Sequence, residues 1–167
     1  MMGAMTRLFV AAWPSAAVKA ALGDLPAGDE RGVRRVSPAN WHVTLRFVGE
    51  ADIDELRWLL ADVRLPRATA TLGPVIEPLG RRQVVVPVDG VDELAHAVHR
   101  ATIVVGARST RPFVGHLTIA RLRPRARTSL IGVPISTSFV VDEIALVASD
   151  LAADVPTYTT VATFPTT

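Results

Sequence analysis

At 167 residues, 49% hydrophobic and 20% charged, the chain has a globular composition and length for one domain, burying roughly 70% of the surface its unfolded form would expose. It has no cysteine, which excludes disulfides, zinc–cysteine centres and thiol catalysis, and the apolar run Leu8–Trp13 is too short for a signal-peptide core or a membrane span. The net charge is only +2, yet every one of the 18 basic residues except Lys19 is arginine; a planar guanidinium fork suits phosphate partners, although an Ala/Val/Arg-rich genome produces the same bias.

Residues 1–5 read in part as an appended, disordered leader, with Met5 as the natural start. Arg7–Trp13 reads as a strand ended by Pro14, and Ser15 stands where a helix N-cap belongs before Ala16–Leu25. Ala27–Val36 is a polar loop whose Arg31, Arg34 and Arg35 form a solvated basic cluster that could lie beside an anion. Ser37–Asn40 turns the chain into a strand from Trp41 that ends at Gly49. Asp52–Arg64 carries Ile53, Leu56, Leu59, Leu60 and Val63 at helical spacing, with acidic residues in its first turn. Ala68–Leu79 is strand-like, interrupted at Gly73–Pro74, and Arg82–Val88 is another strand. Val91–Val105 is a second amphipathic helix stopped at Gly106. Phe113–Leu122 is a strand, Arg123–Arg127 a basic link towards a helical turn near Ser129, Ser136–Ser149 one long strand, and Thr157–Phe164 the last.

Two of these strands carry the same pattern. Trp41-His42-Val43-Thr44-Leu45 is answered by His116-Leu117-Thr118-Ile119, in a chain with four histidines. Residues two apart on a strand share a face, so His42 projects with Thr44, and His116 with Thr118, while Val43, Leu45, Leu117 and Ile119 point into a core. By the same parity Phe47 and Trp41 belong to the core. One such strand is ordinary; two, each in its own strand–helix half, suggest a weak internal duplication. The halves, an α+β arrangement with helices outside, would then bring both motifs to a central cleft.

Imidazole titrates near neutrality, so one histidine can take a proton while another gives one, and adjacent threonine hydroxyls can hold non-bridging oxygens. That set suits phosphodiester cleavage without a metal. The motif pair resembles the 2H phosphoesterase superfamily, and within it the bacterial RNA 2′,3′-cyclic phosphodiesterase branch, also described as 2′-5′ RNA ligase-like. The likeness extends to Arg7–Ala11, to Asn40 through Glu50, to Arg111-Pro112-Phe113, to Ala145–Ser149 and to Tyr158 through Pro165. It implies one bilobal domain over 1–167, two pseudo-symmetric sheet lobes with outer helices around the cleft, and hydrolysis of RNA 2′,3′-cyclic phosphate ends to 2′-phosphates. His42 would be the general acid for the leaving 3′ oxygen and His116 the general base for water. Thr44, Thr118 and Arg121 would bind the phosphate. Strand parity opposes the last, since Arg121 lies five residues after His116 and faces away unless the strand bulges or ends there.

The resemblance implies no cofactor and no metal. The expected partner is RNA with a 2′,3′-cyclic phosphate terminus or a small cyclic nucleotide, with no membrane partner, in a cytoplasmic monomer. Rival readings are 2′-5′ ligation by the same acid–base pair, a small cyclic nucleotide phosphodiesterase, and non-catalytic binding of RNA ends. Gly115 replaces a proline common before the second motif, and Val86-Pro87 stands where relatives carry an aromatic, which leaves the wall contacting base or sugar undefined. His96 and His99 have a spacing that could present metal ligands, but nothing else in the sequence joins them, and Ser149-Asp150 lacks a histidine partner. No phosphate loop or dinucleotide fingerprint occurs.

Overall fold

The computed structural model describes residues 3–167. The leader reading of Met1 and Met2 lies outside the described residues, whereas Met5 already opens strand β1, Met5–Ala12, opposite Asp52. Alternation along β1 sends Leu8, Val10 and Ala12 into the main core and Phe9 and Ala11 into a small second cluster on the other face. Helix α1, Ala16–Gly23, begins as expected, with the Ser15 hydroxyl accepting from the Val18 N–H.

The remaining elements are β2 (Val33–Arg35), β3 (Val43–Asp52), α2 (Ile53–Ala61), β4 (Ala68–Leu72), β5 (Glu77–Leu79), β6 (Gln83–Asp89), α3 (Asp92–Thr102), β7 (His116–Leu122), β8 (Thr137–Val141), β9 (Glu143–Asp150) and β10 (Thr157–Pro165). They form one antiparallel sheet in the order β10-β9-β1-β3-β7-β6-β4-β8, with β2 added on β7 and β5 on β6. The helices pack outside it, α1 on β8, α2 on β1, β3 and β10, and α3 on α2 and β3. This is the expected α+β fold with two sheet halves, β10-β9-β1-β3 and β7-β6-β4-β8. They meet through a single residue pair, Val43↔Leu117. The motif strands β3 and β7 are the inner strands of the two halves, so the seam of the sheet is where the motifs meet.

Three sequence expectations change. The loop Ala27–Val36 contains strand β2, because Val33, Arg34 and Arg35 find open backbone groups along Leu122, Arg121 and Ala120. The single strand Ser136–Ser149 breaks at Asp142: β8 closes the second half on β4, and β9 crosses to lie on β1 in the first. β3 also does not end at Gly49; the glycine adopts φ +84°, where it costs nothing, and the strand continues to Asp52.

Candidate active site

The register of the seam sets the geometry of the two motifs. Continued one residue each way in antiparallel sense, Val43↔Leu117 places His42 opposite Thr118 and Thr44 opposite His116. All four line one open cavity of about 860 Å³, together with Gln83 and Arg121. Both imidazoles are anchored alike. His42 Nδ1 lies 2.7 Å from the Asn40 carbonyl, and His116 Nδ1 lies 2.8 Å from the Val114 carbonyl. A carbonyl only accepts, so each Nδ1 carries the hydrogen and each Nε2 is left for the cavity. The Thr44 hydroxyl donates to His42 Nε2 at 3.0 Å, and the Thr118 hydroxyl donates to the Gln83 side-chain oxygen at 3.2 Å.

Arg121 joins this set through a bulge. On β7, Thr118 pairs with Val85 and Ala120 with Val84, so Ile119 is an extra residue against β6. The extra residue reverses the alternation: Ile119 and Ala120 are both buried, and Arg121 returns to the face of His116 and Thr118. Strand parity therefore holds through Ile119 and fails from Ala120 onward.

The same device overturns the core assignment of Phe47. Along β1, Ala11 pairs with Thr44, Val10 with Arg46, Phe9 with Phe47 and Leu8 with Gly49, so Leu45 and Val48 are extra residues on β3. Leu45 and Arg46 are consecutively buried, and Phe47 emerges on the cavity side, 46% exposed. The Arg7 guanidinium lies over its ring, 4.8 Å from the centroid. Trp41, by contrast, is buried as expected. Sequence reasoning missed Gln83 and Arg7 as cavity residues, and neither stands in a motif. For Phe47 no signal was present: Val43-Thr44-Leu45-Arg46-Phe47 alternates cleanly, and the interruption at Leu45-Arg46 lies only in their burial.

His42 rests on the small apolar cluster beneath the cavity. Its ring lies 4.9 Å from Phe9, 5.3 Å from Tyr158 and 5.8 Å from Trp13, centroid to centroid. Burial pulls its pKa below the usual 6.5, the positive charges of His116 and Arg121 pull it further down, and the Asn40 carbonyl opposes them. An NMR titration should thus place the His42 midpoint below 6.5, and Arg121→Gln should move it upward; a downward or absent shift would refute the coupling. Because the folded state disfavours His42 protonation, stability should decline as pH falls from 6.5 towards the folded-state pKa, where an unfolded His42 takes up the proton first.

His96 and His99 do not assemble a metal site: no cluster of three or more histidine or carboxylate residues suited to a metal occurs among the described residues. They line a second cavity instead. No helix among the described residues is long and apolar enough to cross a membrane.

The curled antiparallel sheet with two His-x-Thr strands at its central seam has its likeness among the LigT-like phosphoesterases. A family model of LigT-like phosphoesterases matches residues 13–72. The apo crystal structure of Escherichia coli LigT superposes with a TM-score of 0.81 at 28% identity, covering 99% of each chain. The same protein complexed with 3′-AMP gives 0.78 at 27% identity, over 98% of this chain and 99% of that one. A protein of Thermus thermophilus gives 0.74 at 26% identity, over 95% and 97%. No curated protein sequence matches significantly. The chain thus resembles LigT-like phosphoesterases of the 2H phosphoesterase superfamily, in sequence over residues 13–72 and in fold over nearly its whole length, a likeness that supports an enzyme acting on phosphodiesters.

Proposed function

We propose that the protein hydrolyses 2′,3′-cyclic phosphate ends of RNA to 2′-phosphates without a metal. The observation that carries this reading is the pair of imidazoles, each held by Nδ1 on a carbonyl two residues back, with His116 Nε2 and the Thr44-bonded His42 Nε2 turned to one cavity that also holds Thr118 and Arg121. His116 Nε2 takes a proton from water as the water oxygen attacks phosphorus. The P–O3′ bond breaks, and O3′ receives the proton carried by His42 Nε2, leaving a 2′-phosphate and a 3′-hydroxyl. Thr44, Thr118 and Arg121 hold the non-bridging oxygens as charge builds on them.

The lowered pKa of His42 fits the acid's role, since a depressed pKa makes the imidazolium a stronger donor, and the incoming phosphate favours its protonation. Crystal structures of LigT with 3′-AMP, ATP and NADP+ lend support, because a nucleotide end is the ligand this reading requires. The cytoplasm, where RNA ends are exposed, is the proposed location, and one chain, folded as one domain, carries the whole acid–base set.

An oligoribonucleotide with a 2′,3′-cyclic phosphate end, incubated with the protein and excess EDTA, should yield the 2′-phosphate alone. A 3′-phosphate product would reverse the assignment of the leaving oxygen, and loss of turnover in EDTA would overturn the metal-free mechanism.

A further inference from the structure

A second cavity, of about 980 Å³, adjoins the first and shares Thr44, Phe47, Gln83 and His116 with it. Its far walls come from the β5–β6 turn, from α3 and from the 107–114 segment, and they present Arg81, Arg82, Arg108 and Arg111. No aspartate or glutamate lines it. The four arginines are exposed, and the one ion pair among the described residues, Asp54–Arg57, lies elsewhere. A groove with four uncompensated guanidinium groups and no carboxylate attracts a chain of negative charges more than a single one. Phe47 stands where the two cavities join, with nearly half its surface open. An exposed aromatic at the head of a basic groove is the arrangement that binds single-stranded nucleic acid, by stacking a base and tracking the backbone.

We infer that this groove holds the RNA strand on the 5′ side of the terminal nucleotide, with Phe47 as a stacking platform and Arg81, Arg108 and Arg111 as phosphate contacts, so that the protein prefers oligonucleotide ends to mononucleotides. The inference rests on the proposed opening of a cyclic phosphate. The rival path is the cavity of about 800 Å³ lined by Arg34, Arg82, Arg121, Arg123 and Asp154. It carries a carboxylate and no aromatic ring, and Arg34 is already engaged by the Asp154 carbonyl at 2.6 Å.

The test compares kcat/KM for a trinucleotide and a nucleoside monophosphate, both 2′,3′-cyclic, across a range of NaCl concentrations. Wild type should favour the trinucleotide by about tenfold or more at low salt, and the triple variant Arg81→Gln/Arg108→Gln/Arg111→Gln should bring that ratio close to one. Each phosphate left without a contact should remove about 0.7 from the log–log salt slope, about 1.4 in all for the two phosphates on the 5′ side of the trinucleotide's terminal nucleotide. Equal wild-type rates on the two substrates would overturn the inference. So would a ratio that survives the triple variant but collapses in Arg123→Gln, which would put the strand in the rival cavity. If neither substrate reacts, the proposed function fails instead. The groove is then decided by fluorescence anisotropy with a labelled 3′-phosphorylated trinucleotide, whose affinity the triple variant should lower about tenfold and whose indifference to it would sink the inference.

Discussion

His116→Ala is expected to reduce turnover of a 2′,3′-cyclic phosphate end by about 10²- to 10⁴-fold, the usual contribution of one positioned acid–base group. His116 is the better of the two positions to test first. It is partly exposed and its ring makes no aromatic contact, so removing it leaves the apolar cluster intact. His42 packs among Phe9, Trp13 and Tyr158, and there His42→Gln keeps most of the volume while removing the titrating nitrogen. A comparable loss is expected, and the double variant should fall little further, because an acid and a base that serve one step act as a unit. Thr44, Thr118 and Arg121 remain in place, so affinity for the RNA end should persist in all three proteins. Turnover within about tenfold of wild type in either single variant would remove the two-histidine mechanism. Loss of affinity in parallel with loss of rate would point to a binding role instead.

The two motifs were legible in the sequence because their chemistry and their strand period are both local. Val43, Thr44, Leu117 and Thr118 obey the alternation of an isolated strand, and nothing outside the strand is needed to see it. Phe47 and Arg121 were illegible for the opposite reason. Each follows an extra residue whose presence depends on how the partner strand is laid against it: β1 is shorter than the stretch of β3 it pairs with, and β6 leaves Ile119 without a partner. A bulge belongs to a pair of strands, and its mark is two consecutive buried side chains, Leu45-Arg46 and Ile119-Ala120, of which only the second pair is consecutively apolar in sequence. The break at Asp142 escaped for a related reason. β8 and β9 both have the composition of buried strands, and only the pairing of one with β4 and the other with β1 separates them. The cavity wall is therefore a product of register, whereas the histidine pair is a product of sequence.

Arg46 shows how the bulge that exposes Phe47 is held, and its loss should be the most damaging single change outside the cavity floor. It is 7% exposed, and its guanidinium donates to the carbonyl and hydroxyl of Thr102 and to the Val105 carbonyl at 2.7 Å. Those acceptors sit at the end of α3, where the last carbonyls of a helix lack partners within the helix. The Thr102 hydroxyl in turn donates to the Val98 carbonyl. One buried side chain on β3 thus closes the helix, fixes the turn through Gly106 and locks the bulge at Leu45. Arg46→Ala leaves the Val105 carbonyl unpaired at about 1–3 kcal/mol, strips the Thr102 carbonyl of one of its two donors, the Val105 N–H remaining, and opens a cavity beside them. With partial relaxation the expected loss is about 3–4 kcal/mol, a large share of the roughly 5–15 kcal/mol that holds such a domain together. Arg46→Lys should recover only part of it, because an ammonium lacks the fork that reaches three acceptors at once. Urea unfolding of the three proteins measures this directly. A loss below about 1 kcal/mol for Arg46→Ala would show that water or rearrangement satisfies the end of α3 without the arginine. In a destabilised but folded variant, the register of β3 should loosen from Leu45 onward, beyond Thr44. Amide exchange should then quicken at Arg46–Gly49 before it does at Val43.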